Sequence, residues 1–376
     1  MLVYEYKLDG NIAQYTAMDE AIRVTQFVRN KCLRLWMDAD KDQRVNANDL
    51  QVYCSQLAKE VDFASKLNSQ ARQAAADRAW NAIQRFYDNC KAKRPGKKGY
   101  PHFQHDNRSV EDKTTGWKLE PDGKHIVFTD GCGIGRMRMI GTRDVITFPV
   151  AQIKRVRILK RADGYFVQFV LHAERVITHV ATGMQRGIDM GLKEFYTDSE
   201  GATVENPRFL RKAEKQLKSL QRQVSRKKKG SHNRSKARKK LARAHLKVHR
   251  QREDFAREKA NALVSSSDFL AYEHLQIRNM VKNHTLAKSI SDASWGRFLY
   301  WVVYYAALHH IRVIAVPPQY TSQNCSGCGA YVQKSLSTRT HLCHECGLIM
   351  ERDHNSAVLI RDIGLRTFGQ RETGSA

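Results

Sequence analysis

Apolar positions along the chain change rhythm several times, and the changes mark out its elements. Residues 1–15 read as extended. From residue 16 to about 94 the spacing is helical: Ala21, Val24, Phe27, Val28, Cys32 and Leu35 form one stripe. A second begins in the alanine-rich run at residues 71–80 and continues through Ile83, Phe86 and Tyr87. Residues 91–99 form a basic linker with proline and glycine. Short strands follow over residues 100–179, most clearly 153–159 and 165–171 around a turn at Arg161-Ala162-Asp163-Gly164. The remainder mixes strand and helix. Ile188-Asp189-Met190-Gly191 reads as a buried strand, Asp198-Ser199-Glu200-Gly201 as a hairpin turn, and residues 269–272 as an apolar strand closed by Glu273. A helix is predicted over about 293–310, a strand over 313–316, and a final helix after Asp353. No internal repeat is visible. The pattern predicts a multidomain α+β protein, and 376 residues allow two or three domains.

Charge narrows the partner. Lys and Arg number 64 against 38 acids, a net +26 with a pI near 9.8. That balance points to nucleic acid or an anionic membrane surface. The membrane is the weaker choice: the N-terminus has no apolar signal core, and the most apolar stretch, residues 298–308, is short and flanked by Arg297 and His309. A cytoplasmic location without disulfides is expected. The excess charge is also local. Between residues 211 and 252, 18 of 42 residues are Lys or Arg and Glu214 is the single acid. Apolar residues at 217, 220 and 224 and at 241, 244, 246 and 248 suit two helices joined at Gly230-Ser231-His232-Asn233. A solvated hairpin would explain an ordinary charge run. One of a single sign repels itself unless phosphates neutralise it. Arg226, Lys227, Lys228, Lys229, Arg234 and Arg238 are therefore the candidate nucleic-acid contacts.

The eight cysteines form two sets. Cys32, Cys54, Cys90 and Cys132 are scattered in apolar surroundings and read as small core residues. Cys325-Ser326-Gly327-Cys328 and Cys343-His344-Glu345-Cys346 are two C-x-x-C knuckles, each followed by glycine and separated by 14 residues. Glycine there lets the backbone turn its amides toward the sulfurs. Four thiolates so spaced suit a closed tetrahedral zinc site better than disulfides, a redox dithiol or an iron–sulfur cluster. His341 and His344 would stand behind the ligands.

Against the basic body, three acids lie at the edges of apolar elements: Asp189, Glu273 and Asp353, with 83 and 79 residues between them. Singly each could be a cap or turn former. Together they would give the converging hard-oxygen ligands that two magnesium ions need for phosphodiester cleavage. Their order on strand, strand and helix is what a ribonuclease-H-like sheet presents. A second acidic run, Asp38-Ala39-Asp40-Lys41-Asp42, has calcium-loop spacing but Gln43 at the glycine position and Asp49 where glutamate is usual, so it reads as a polar inter-helix loop.

Four blocks resemble the TnpB family of transposon-encoded RNA-guided nucleases, relatives of the type V CRISPR effectors. They are Gly187-Ile188-Asp189-Met190-Gly191-Leu192; the basic hairpin from Ser225-Arg226-Lys227-Lys228-Lys229-Gly230-Ser231 through Lys236-Ala237-Arg238 to Asp254-Phe255; Ile290-Ser291-Asp292-Ala293-Ser294-Trp295-Gly296; and Tyr320-Thr321-Ser322-Gln323-Asn324-Cys325-Ser326-Gly327-Cys328-Gly329. Together they span most of residues 186–365. Glu351 and Ser356 stand where the family commonly has Asp and Ala. The resemblance implies a RuvC-type nuclease domain of ribonuclease-H fold (183–319 and 348–376), with Asp189, Glu273 and Asp353 as its magnesium-binding triad and Arg352 against the scissile phosphate. It implies a zinc ribbon at 320–347, held by Cys325, Cys328, Cys343 and Cys346. It also implies an oligonucleotide-binding-like β-barrel (1–15 and 100–180) carrying a helical recognition lobe (16–95).

A guide RNA from the transposon end would pair with target DNA beside a short adjacent motif, at the nucleoid of a prokaryotic cell. Two other classes fit the same residues. One is an RNA-guided repressor without cleavage, though no triad acid is missing. The other is a protein-only transposase or resolvase, which would carry no specific RNA.

Overall fold

In the computed structural model, residues 2–40, 44–93, 95–175, 177–335 and 338–373 are described, the last four by backbone alone. The chain divides into two compact units, Met1–Arg175 and Val176–Ala376.

In the first unit β1 (Leu2–Asp9) is followed at once by helix α1 (Ile12–Asp38), earlier than the helical spacing predicts. The cause is local. Asn11 Oδ1 accepts from Gln14 N at 2.9 Å while Gln14 Oε1 accepts from Asn11 N at 3.0 Å, a capping box that stops the strand. Helices α2 (Ala47–Glu60), α3 (Asp62–Ser65) and α4 (Ser69–Lys91) follow. Of the acidic run, Asp49 caps α2 by accepting from Asn46 N at 2.8 Å. Residues 41–43 lie outside the described residues. Strands β2 (Ser109–Asp112), β3 (Trp117–Leu119), β4 (His125–Phe128), β5 (Gly135–Ile140), β6 (Ile153–Arg161) and β7 (Gly164–Leu171) complete the unit.

The seven strands form one antiparallel sheet in the order β2-β6-β7-β1-β5-β4-β3. In α4, Ala71, Ala75 and Ala79 recur every four residues with Ile83 and are buried, and their short side chains let α4 lie close to α1 and α2. One apolar core joins these helices to the sheet, running from Val28, Leu33 and Leu50 to Ile126, Met137 and Phe169. Cys32 and Cys54 belong to it and Cys132 packs half-buried against it, whereas Cys90 is exposed and is not the core residue expected.

The second unit contains β8 (Gln185–Asp189), β9 (Glu194–Asp198), β10 (Thr203–Glu205), α5 (Phe209–Ser225), α6 (His232–Ser265), β11 (Phe269–Glu273), α7 (Ile277–Met280), α8 (Ala287–Ala293), α9 (Trp295–His309), β12 (Arg312–Val316), β13 (Thr340–Leu342), β14 (Ile349–Glu351) and α10 (Arg352–Thr373). Its main sheet is mixed, in the order β10-β9-β8-β11-β12. β8 pairs antiparallel with β9 and parallel with β11, and β11 pairs parallel with β12. Both faces are covered, as near-continuous apolar strands require. Ile188 and Leu270 face the core that holds Phe298 and Val302 of α9, whereas Phe269, Ala271, Ile314 and Val316 face Ile360 of α10. The two-residue alternation along β11 thus divides the unit into two cores. Among the described residues no helix is long and apolar enough to cross a membrane.

Candidate functional site

Parallel pairing of β8 with β11 sets Tyr272 opposite Ile188, so Asp189 and Glu273 emerge as the last residues of neighbouring strands. The carboxyl end of parallel strands, where the sheet changes direction, is where open α/β sheets bind ligands. The third acid comes from α10, and a glycine sets the distance. A Cβ on Gly187 would lie 2.2 Å from Ala357 O and 2.4 Å from Arg361 N, so only glycine lets α10 rest directly on β8. Asp353, in the first turn of that helix, is thereby carried to the same sheet edge.

Among the described residues the three acids are not a group whose ligand atoms all lie within 4.8 Å of one another, yet Asp189 is affected by both of the others. Burial first, then the Glu273 and Asp353 carboxylates, push the Asp189 carboxyl up to about 8, against the pull of Arg352. Burial also pushes Glu273 up, opposed by its hydrogen bond with Thr321. Glu273 and Asp353 are buried, whereas Asp189 keeps a partial opening to solvent. A multivalent cation is the chemistry that would relieve the repulsion Asp189 meets from its two neighbours. Their hard oxygen donors fit magnesium.

Arg352 donates from Nε and Nη2 to Asp353 Oδ1, at 2.9 and 2.7 Å, and from Nη1 to Thr338 O at 3.2 Å. Its guanidinium therefore lies against the third acid. Arg339 Nη1 stands 3.7 Å from Asp353 Oδ2. Thr321 and Arg339 were not singled out from the sequence. Thr321 lies within the last of the four motif blocks, and that was its available signal.

The cysteine knuckles come together through short turns. Gly329 N donates to Cys325 O at 2.9 Å and Gly347 N to Cys343 O at 3.0 Å, with both glycines at positive φ, +79° and +73°. The four sulfurs all lie within 4.8 Å of one another, and Cys325–Cys346 and Cys328–Cys343 are each 3.6 Å apart. A tetrahedron with Zn–S bonds of about 2.3 Å has edges of roughly 3.8 Å. Disulfides would require contacts near 2.05 Å. The donor set therefore fits zinc. His341 is buried with Nδ1 toward Lys334 Nζ, and His344 is exposed.

The ribbon is clipped to α10 by a residue the sequence reading passed over. Buried Asn355 donates to Asn324 O at 2.8 Å and accepts from Ser326 N at 2.9 Å. Strands β13 and β14 pair, and β14 runs into α10 without a loop, ending one residue before Arg352.

The basic hairpin forms as spaced. α5 and α6 pack through Leu217, Val224, Ala237 and Val248, and Ser231 caps α6 by accepting from Arg234 N at 3.2 Å. Arg226, Lys227, Lys228, Lys229 and Arg238 are exposed. Arg234 is half-buried and donates to Lys227 O at 2.9 Å, bracing the turn. Asp292, from the third motif block, is buried and accepts from Leu210 N and Arg211 N at 2.8 and 3.0 Å, fixing the start of α5.

Known proteins resemble parts of this chain. The family described as "Probable transposase" (OrfB_IS605) matches residues 168–284, and that described as "Cas12f1-like, TNB domain" matches residues 295–360. A Streptomyces pristinaespiralis protein named "Putative RNA-guided DNA endonuclease" is 35% identical over 207 residues, 54% of this chain and 51% of that protein. This chain thus spans about half the length of that relative. An Escherichia coli K12 protein named "Putative RNA-guided DNA endonuclease InsQ" is 26% identical over 294 residues, 73% of this chain and 70% of that one. Among solved structures, a Cas12f1–sgRNA–target DNA complex superposes with a TM-score of 0.56 at 12% identity, covering 93% of this chain and 81% of that one, a likeness of fold. The first family match contains Asp189, the basic hairpin and Glu273, and the second contains the four cysteines, Arg352 and Asp353. Every candidate residue thus lies inside one family match or the other.

Proposed function

We propose that the protein is an RNA-guided DNA endonuclease, with a RuvC-type, ribonuclease-H-like site at the edge of the mixed sheet. The observation that carries the reading is the convergence of Asp189, Glu273 and Asp353 from strand, strand and helix, strong enough that the second and third raise the carboxyl of the first. The names of the relatives support the substrate and the guide.

In this reading the three carboxylates would hold two magnesium ions. When bound, such ions would supply an activated water and neutralise the charge on the departing 3′ oxygen. Thr321 orients Glu273 through its hydroxyl. Arg352 holds the scissile phosphate by exchanging its Asp353 partner for a phosphate oxygen, a bidentate geometry suited to guanidinium. The ribbon, with zinc on its four sulfurs, fixes the start of α10 and with it the third acid. The exposed cations of the α5–α6 turn grip nucleic-acid backbone, while pairing with the guide supplies sequence choice. In the first unit, the seven-stranded sheet acts as an oligonucleotide-binding-like barrel and the helices as the recognition lobe.

A guide-dependent enzyme retains its RNA. Protein purified after expression with its flanking DNA should carry one structured RNA species in near-stoichiometric amount, read by sequencing the bound nucleic acid. Random cellular RNA, or none, would favour a protein-only recombinase.

A further inference from the structure

Near the acid cluster stands an aromatic pair that none of the roles above uses. Tyr320 and Tyr331 are 61% and 57% exposed, with ring centroids 6.2 Å apart and planes at 77°. Both are held from the backbone. Tyr320 has φ +64°, a left-handed conformation that costs a bulky residue energy and persists where the surroundings impose it. Its carbonyl accepts from Gln323 N and Asn324 N at 3.0 and 2.9 Å. Tyr331 is bridged to Asn324, and Val332 N donates to Gln323 O at 3.1 Å. Tyr320 before the first knuckle and Tyr331 after it are therefore held together across its base.

The location gives them a use. The next residue, Thr321, is buried with its hydroxyl on the Glu273 carboxylate. Arg339, half-exposed, and Arg352 both stand at Asp353. Exposed rings beside a carboxylate centre rimmed by guanidinium groups suit a chain that offers flat π-faces and phosphates in alternation. Single-stranded nucleic acid is that chain.

We infer that Tyr320 and Tyr331 form a stacking platform for a nucleobase of the single strand led to the acid cluster, with Arg339 on an adjoining phosphate. The inference deepens the endonuclease reading and rests on it for the identity of that strand as the one cut. The platform also accounts for a left-handed tyrosine: the turn aims the ring outward while Thr321 turns inward to Glu273.

The test uses the full-length chain with its bound RNA, in an Asp189→Asn background so that DNA stays intact. The probe is a short single-stranded oligodeoxynucleotide carrying one 2-aminopurine, whose fluorescence is quenched by stacking. The parent should quench it. Tyr320→Phe with Tyr331→Phe should keep both quenching and affinity, since the rings remain. Tyr320→Ala with Tyr331→Ala should lose the quenching and bind about tenfold more weakly or worse. Zinc content, measured on each, reports an intact ribbon.

A second measurement needs no variant. Abasic substitution along the oligonucleotide should weaken parent binding at one or two adjacent positions only. Unchanged quenching and affinity in the alanine pair, or a uniform abasic profile, would overturn the platform. So would a shift in self-association of the alanine pair with no change in oligonucleotide binding, which assigns the rings to a protein contact. Guided cleavage by the wild-type protein is scored separately: quenching without cleavage contradicts the endonuclease reading and leaves the platform standing.

Discussion

Asp189→Asn should lower guided cleavage by about a thousandfold or more while leaving target binding within about twofold. Asparagine keeps the size of the side chain and one carbonyl oxygen. It removes the charge that would hold divalent ions at the end of β8, so the loss falls on chemistry rather than docking. The same substitution has a second readout that does not depend on cleavage. In the folded protein the Asp189 carboxyl is pushed up to about 8 by burial and by its two acidic neighbours, from an ordinary value of 3.8. Between those values the native state binds more protons than the unfolded chain, so metal-free stability falls as pH rises through that window. Asparagine is neutral throughout. With divalent ions chelated, the variant should therefore outlast the parent against heat near pH 8, and the difference should close toward pH 4. Parallel melting curves across that range would contradict the raised proton affinity of Asp189.

The second large effect concerns the ribbon. Metal analysis should find about one zinc ion per chain in the parent, and Cys343→Ser should lose it, since three remaining thiolates hold the ion poorly. Binding of structural zinc is worth about 10 kcal/mol or more to a small metal-organised module. The four knuckle cysteines reach the acid cluster through β14, which ends one residue before Arg352, and through Asn355, which ties Asn324 and Ser326 to α10. Loss of the metal should therefore release the third acid as well as the ribbon. Cleavage should fall at least about a hundredfold, while RNA retention by the α5–α6 hairpin stays close to the parent's. A zinc-free variant that cuts at the parent's rate would show the ribbon to be separable from Asp353.

Much of the molecule was legible in its sequence because local periods carried the information. Strands β6 and β7 fall within two residues of the alternation that marks them, and α9 and β12 likewise. The cysteine knuckles needed only their spacing. Long-range and polar devices were harder to read. The start of α1 depends on a reciprocal bond between Asn11 and Gln14, which no apolar period reports. Cys90, flanked by Asp88, Asn89 and Lys91, is exposed near the end of α4, where only its place on the helix surface decides burial. Gly187 was part of a motif, yet its reason, the backbone of α10 some 170 residues later, exists only in the fold. The pairing of Arg352 with Asp353 is a matter of rotamer choice, and the sequence carried no sign of it.

The central claim is that the guide chooses the DNA and the acids cut it. The most direct measurement loads the protein with either of two RNAs that differ only in their guide segment. Each complex is then offered both matching DNAs with magnesium present. Each complex should cut its own target and spare the other, and the Asp189→Asn protein should cut neither. Cutting of both DNAs whichever guide is loaded, or binding of the matched target without any cut by the wild-type protein, would contradict the account.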